Sequence, residues 1–135
     1  MVRTNWTFTA GNDECVAVAA GGGTALRVTI RHAAPINLSL SLPAQSEQRL
    51  AGHVAIPLRF TGAAGRWQVS AQQIANHQLN VMLGSGDIAL SRVLVLLSGG
   101  VLDVQNPEQV ILSLTIAPSD AAGQVWFDCA RSKLP

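Results

Sequence analysis

"INLSLSL", residues 36–42, alternates without a break, setting Ile36, Leu38, Leu40 and Leu42 against Asn37, Ser39 and Ser41. Successive side chains of a strand point to opposite faces, so this stretch predicts a strand with one buried and one wet face. The same period extends to both sides. "ALRVTIR", residues 25–31, sets Leu26, Val28 and Ile30 inward and Arg27, Thr29 and Arg31 outward. "HVAIPLRF", residues 53–60, sets Val54, Ile56, Leu58 and Phe60 inward and Arg59 outward. Pro57 has no amide to donate, which predicts an edge strand or a bulge there. "RWQVSA", residues 66–71, turns Trp67 and Val69 inward and Arg66 outward. "QLNVML", residues 78–83, does so with Leu79, Val81 and Leu83, and "VILSLTI", residues 110–116, with Val110, Leu112, Leu114 and Ile116.

With "NWTFTA", "CVAVAA" and "VLDV" the count reaches about nine short strands. Turn residues separate them at Gly21-Gly22-Gly23, Ala34-Pro35, Thr61-Gly62 and Asn106-Pro107. The pattern predicts a mainly β chain, an antiparallel β-sandwich of about eight or nine strands forming one domain over residues 1–135. Two stretches leave the alternation. In "SGDIALSRVLVLLSGG", Ile88, Leu90, Ser91, Leu94 and Leu97 fall at helical spacing. Ser85 or Asp87 can cap the start and Gly99-Gly100 can stop the end, which predicts a helix over 87–98. In "PSDAAGQVWFDCARS", Ala122, Val125, Trp126 and Cys129 share a helical face, with Ser119 as N-cap and Arg131 and Lys133 in the last turn. A second helix is predicted over 119–131, slightly weakened by Gly123.

Only 13% of the 135 residues are charged and the net charge is +1, with one lysine among nine basic residues. A nucleic-acid binder needs a basic surplus, and tyrosine is absent, so neither a polyanion nor a base-stacking partner is expected. No apolar run is long enough to span a membrane. "MVRTNWTFTAGND" lacks the apolar stretch of a signal peptide. Two readings remain: a cytosolic chain, or a mature exported domain whose signal peptide has been removed.

The chain has two cysteines, Cys15 heading an apolar strand and Cys129 on the apolar face of the second helix. A catalytic thiol needs a base and an electropositive, exposed setting, and neither position offers one. Scattered histidines do not complete a metal site. Two buried free thiols, or a disulfide, are left. The disulfide is favoured: closing a loop of roughly a hundred residues removes about 4–5 kcal/mol of unfolded-chain entropy. It also implies an oxidising compartment, periplasmic or extracellular.

Other candidates are weaker. "LGSGD", residues 83–87, reads as a turn and a helix cap before it reads as an anion cradle. His32, His53 and His77 fall at turns and strand ends, and Asp103 and Asp128 stand without a carboxylate partner. No nucleophile elbow, paired metal histidines or phosphate loop occurs. Arg27, Arg31, Arg59 and Arg66 face outward and form a candidate docking patch, although such residues more often keep open β faces soluble.

In chain order, the strand of Trp6, then "EC", "LRVTI", "LSLSLP", "LAGHVAIPLRF", "LLSGGVLDV", "VILSLTI" and "PSDAAGQVW" form a series. That series resembles the invasion-associated locus B group of exported bacterial β-sandwich proteins, over about residues 6 to 130. Members of that group carry further cysteines just after the first tryptophan and in mid-chain, where "WTFTAGND" and "FTGAAGRWQVSA" have none. The resemblance implies a periplasmic or secreted protein without catalytic residues, its disulfide scheme rewired to Cys15 and Cys129.

The expected function is therefore an exported binding or structural module acting through a surface, with no enzyme activity, cofactor or metal. Its expected partner is an unidentified protein, with weak homodimerisation through the Pro57 edge. The alternative is a small ligand-binding or hydrolase-like barrel whose site is assembled from distant residues such as His77, Asp87 and Asp103.

Overall fold

A computed structural model of the chain describes residues 2–43, 55–75, 77–105 and 110–133. Nine strands and two helices lie among the described residues: β1 Val2–Ala10, β2 Glu14–Gly21, β3 Thr24–Arg31, β4 Ile36–Ser41, β5 Ala55–Gly62, β6 Gly65–Ala75, β7 Gln78–Gly84, α1 Asp87–Leu97, β8 Gly100–Gln105, β9 Val110–Ile116 and α2 Ala121–Lys133. His53, Val54 and the Asn106-Pro107 turn lie outside the described residues.

The mainly β reading holds, but the sheet is a closed barrel in the order β1-β2-β3-β4-β7-β6-β5-β8-β9, not a sandwich. Closure comes from β9, which returns to β1 as a short parallel pair, Val2 opposite Leu114 and Thr4 opposite Ile116. Thr4 Oγ1 donates to the Thr115 carbonyl at 2.9 Å, and Trp6 Nε1 to the Ala117 carbonyl at 2.7 Å. The alternation of "INLSLSL" is the same whether its inward face meets a second sheet or the far wall of its own. The inward set is as predicted: Ile36, Leu38, Leu40 and Leu42 are buried, as are Leu26, Val28, Ile30, Ile56, Leu58 and Phe60. Outward positions such as Arg27, Thr29 and Ser39 are polar, the reverse of a lipid-facing wall. No helix of the described residues is long and apolar enough to cross a membrane.

Closure also corrects the expectation at Pro57. β5 has neighbours on both sides, pairing with β6 and with β8, so it is no edge strand. Pro57 lies one residue beyond the described β5–β8 ladder, which runs over Leu58–Gly62, so its missing amide costs no rung there. At the start of β9, against the end of β8, the register shifts between Val104 and Gln105. The bulge turns Ile111 inward and leaves Val110 43% exposed, where unbroken alternation had placed Val110 inside.

The two helices sit at one end of the barrel. α1 packs on β5, β6 and β7, α2 on β1, β2 and β3, and the helices touch each other. Pairing between β6 and β7 stops at Gln72 and Asn80. α1 lies against the strands beyond that point, where Trp67 Nε1 donates to the Arg92 carbonyl at 3.1 Å. Its buried residues are Ala89, Val93, Leu96 and Leu97, whereas Ile88 and Leu94, expected inside, are exposed. An all-apolar run such as "VLVLL" fits several faces equally well, and the contact with β5–β7 selects one. Gly86 precedes α1 with no side-chain cap, so neither Ser85 nor Asp87 caps it, while Gly99 ends it at φ +89° as expected.

In α2 the capping residue is Asp120, whose Oδ1 accepts from the Ala122 amide at 3.0 Å, rather than Ser119. The buried face is Gly123, Trp126, Phe127 and Ala130, with Val125 67% exposed. Trp126 meets Phe8 at 5.9 Å between centroids, and Phe8 stacks on Trp6 at 5.5 Å. The helix passes close to the barrel at Gly123, where a Cβ would collide with Ser119 and stand 3.1 Å from Phe8. Gly123 thus permits the packing instead of merely weakening the helix. Gly123→Ala is expected to destabilise by about 1–3 kcal/mol despite alanine's better helix propensity. Urea denaturation of the two proteins checks the sign.

Candidate functional site

The covalent feature sits where α2 crosses the barrel end. Cys15 opens β2 fully buried, opposite Ile30, and Cys129 lies half-buried on α2. The structure joins them in a disulfide with Cα atoms 6.4 Å apart, and no cysteine is free. The helix end is tied down beside it. The Ala33 amide donates to the Lys133 carbonyl at 3.3 Å, and Lys133 Nζ to the Asn12 carbonyl at 2.7 Å. The α2 terminus is therefore fastened to the β1–β2 and β3–β4 turns as well as to β2.

Among the described residues, Leu26, Ile30, Leu38, Leu40, Ile56 and Leu58 are buried side chains pointing into the barrel, which makes its core apolar. The hydrolase-like arrangement is not assembled. His77 stands at the β6–β7 turn, Asp87 opens α1 and Asp103 lies on β8. The seven residues of β7 separate His77 from Asp87, about 23 Å of extended chain. Asp103 is engaged elsewhere: Arg59 Nη2 donates to its Oδ2 at 3.5 Å and Ser113 Oγ to its Oδ1. Among the described residues no group of three or more histidine, cysteine, aspartate or glutamate side chains is placed to hold a metal ion.

The four arginines do not form one patch. Arg59 and Arg66 project from β5 and β6 on neighbouring diagonals, Arg59 opposite Gln68 and Thr61 opposite Arg66. Arg66 borders a shallow groove against α1 with Asp87 and Arg92. Arg27 and Arg31 stand on β3, three strands from β6 and four from β5 in the barrel order. Arg31 Nε donates to Glu14 Oε2 at 2.8 Å, an exposed pair worth little to stability. Arg59, 48% exposed, is similar: Arg59→Gln is expected to cost under about 1 kcal/mol, read by chemical denaturation.

Arg27 and Arg31 instead share a groove of about 430 Å³ on the outer wall, across β3, β4, β7 and the tip of β6. The register explains its floor. Arg27 lies opposite Ser39, Ser39 opposite Asn80 and Asn80 opposite Gln72, a polar row across four strands. One step along, Thr29 faces Asn37 and Asn37 faces Met82. Ser39, Asn37 and Asn80 are only half-exposed although they point outward, so the face is recessed. Asn37 Oδ1 is fully buried and has no hydrogen-bond partner. Ile74 and Met82 border the groove 61% and 60% exposed, and no acidic residue among the described residues lines it.

Sequence reading found the two arginines but not the polar row. Its residues are the outward half of "INLSLSL" and "QLNVML", and only the β4–β7 pairing, which skips β5 and β6, sets them side by side. The fold and site together define a closed β-barrel, plugged by two helices at one end, with its candidate site outside the wall. Comparison with family models, with curated proteins and with solved structures finds no match.

Proposed function

We propose that the chain is an exported binding module, clasped by Cys15–Cys129 for an oxidising compartment, that works without catalysis through the outer face of β3, β4 and β7. The observation that carries this reading is the recessed groove bearing Arg27 and Arg31 on a barrel whose described inward side chains are apolar. A small-molecule barrel keeps its site inside the wall; this groove lies outside, where a partner's surface can reach it. The disulfide supports a periplasmic or secreted setting, since such bonds persist where glutathione and thioredoxin do not reduce them. The resemblance to the invasion-associated locus B group points the same way and adds no catalytic residue.

Photo-crosslinking in the producing cell tests the working surface. A photoreactive residue at Asn80, in the groove, is expected to trap a discrete partner. The same residue at Thr61, exposed on β5, is expected to trap none. No adduct from Asn80, or equal adducts from both sites, contradicts the reading. The weak homodimerisation expected through the Pro57 edge loses that ground, because β5 is paired on both sides in the closed barrel, and a clean monomer in sedimentation at high concentration is the expected result.

A further inference from the structure

We propose, resting on that reading, that the groove takes an extended acidic peptide segment of a partner protein. Three features of the groove define the ligand's chemistry. Among the described residues Arg27, which is exposed, forms no ion pair and no carboxylate lines the groove, so negative charge is complementary there. Asn37 Oδ1 is buried without a partner beneath the groove floor, an unsatisfied acceptor that a ligand's donor relieves once the side chain turns outward. Ile74 and Met82 offer exposed aliphatic surface beside the polar row.

A bare phosphate or sulfate answers only the first feature: it offers acceptors, has no apolar part and leaves Asn37 unmet. Sugars are usually held by stacking on aromatic rings, and none of the three tryptophans and three phenylalanines lines the groove. A peptide answers all three. Its backbone N–H and C=O groups meet the amides and hydroxyls of Asn37, Ser39 and Asn80, and its acidic side chain reaches Arg27. An aliphatic side chain covers Ile74 and Met82. The six residues of β4 run about 20 Å, so a segment of about five or six extended residues spans the floor. Arg31, already held by Glu14, contributes less than Arg27.

The test is a titration of isotope-labelled protein, followed by amide chemical shifts. The probes are acetyl-Glu-Leu-Asp-Val-Glu-amide, its Gln-Leu-Asn-Val-Gln counterpart and a tetragalacturonate. The acidic peptide is expected to shift the amides of Arg27, Asn37, Ser39, Asn80 and Met82 saturably and to spare those of β5 and β8. Arg27→Gln is expected to weaken it about tenfold, the loss of one charge-assisted hydrogen bond. Raising the salt from about 0.1 M to about 1 M is also expected to weaken it. Equal binding of the neutral peptide overturns the charge argument. Shifts with tetragalacturonate alone overturn the peptide in favour of an anionic glycan. Silence from every probe overturns the proposal. An Asn80 crosslink in cells alongside silent peptides would leave the surface reading standing and sink this inference alone.

Discussion

The double variant Cys15→Ala, Cys129→Ala is expected to melt about 10–15 °C lower than the parent while keeping its β-dominated circular dichroism. The bond closes a ring across a sequence separation of 114, which in the chain-entropy model restrains the unfolded state by about 5 kcal/mol, with native disulfides delivering more often 2–4 kcal/mol. For a chain of this size each kilocalorie per mole moves Tm by about 3–5 °C. The sheet is expected to persist because its inward set, from Leu26 to Leu114, is buried without the helix end being bonded. The loss should concentrate in α2, whose remaining restraints are the packing of Trp126 and Phe127 and the two ties at Lys133. Hydrogen exchange of the α2 amides, rising before that of β3 and β4, checks where the loss falls.

Trp126→Ala is expected to cost about 3 kcal/mol, measured by urea denaturation of the oxidised protein. Truncating a buried tryptophan removes the largest apolar contact a single position can make and leaves a cavity, usually worth about 3–5 kcal/mol. Trp126 is 1% exposed and packs on Phe8 at the plugged end of the barrel. The lower end of the range is expected because its indole Nε1 is buried without an acceptor, so part of its burial is already unfavourable. The clasp keeps α2 attached in this variant. Reduction of Trp126→Ala should therefore release the helix under conditions in which the parent, reduced, retains it.

The sequence makes the strands legible because period two is local. Each of Ile36, Leu38, Leu40 and Leu42 reports its own burial, whatever the sheet does next. Barrel closure rests instead on three residue pairs between Val2–Thr4 and Leu114–Ile116, at opposite ends of the chain, and no alternation encodes which strand meets which. The spacing places the helices to within a few residues and their faces in part, with Leu97, Trp126 and Cys129 turned inward as expected. Ile88 and Val125 fit the apolar spacing and lie outside, because the barrel approaches α1 and α2 from sides the spacing does not mark. The clasp was readable from two facts, the apolar setting of both cysteines and the single pairing they allow. The groove was half-readable: Arg27 and Arg31 belong to one strand, whereas Asn80 joins them only through the β4–β7 ladder.

The exported, clasped module is tested most directly by trapping thiols in the producing cell. Cells are quenched in acid, denatured and alkylated, and the masses of the Cys15 and Cys129 peptides are read with and without prior reduction. The expected result is that neither cysteine takes the label until the sample is reduced, the state a periplasmic or secreted chain keeps. Full alkylation of both cysteines without reduction would contradict the clasp in its native setting and the exported role built upon it.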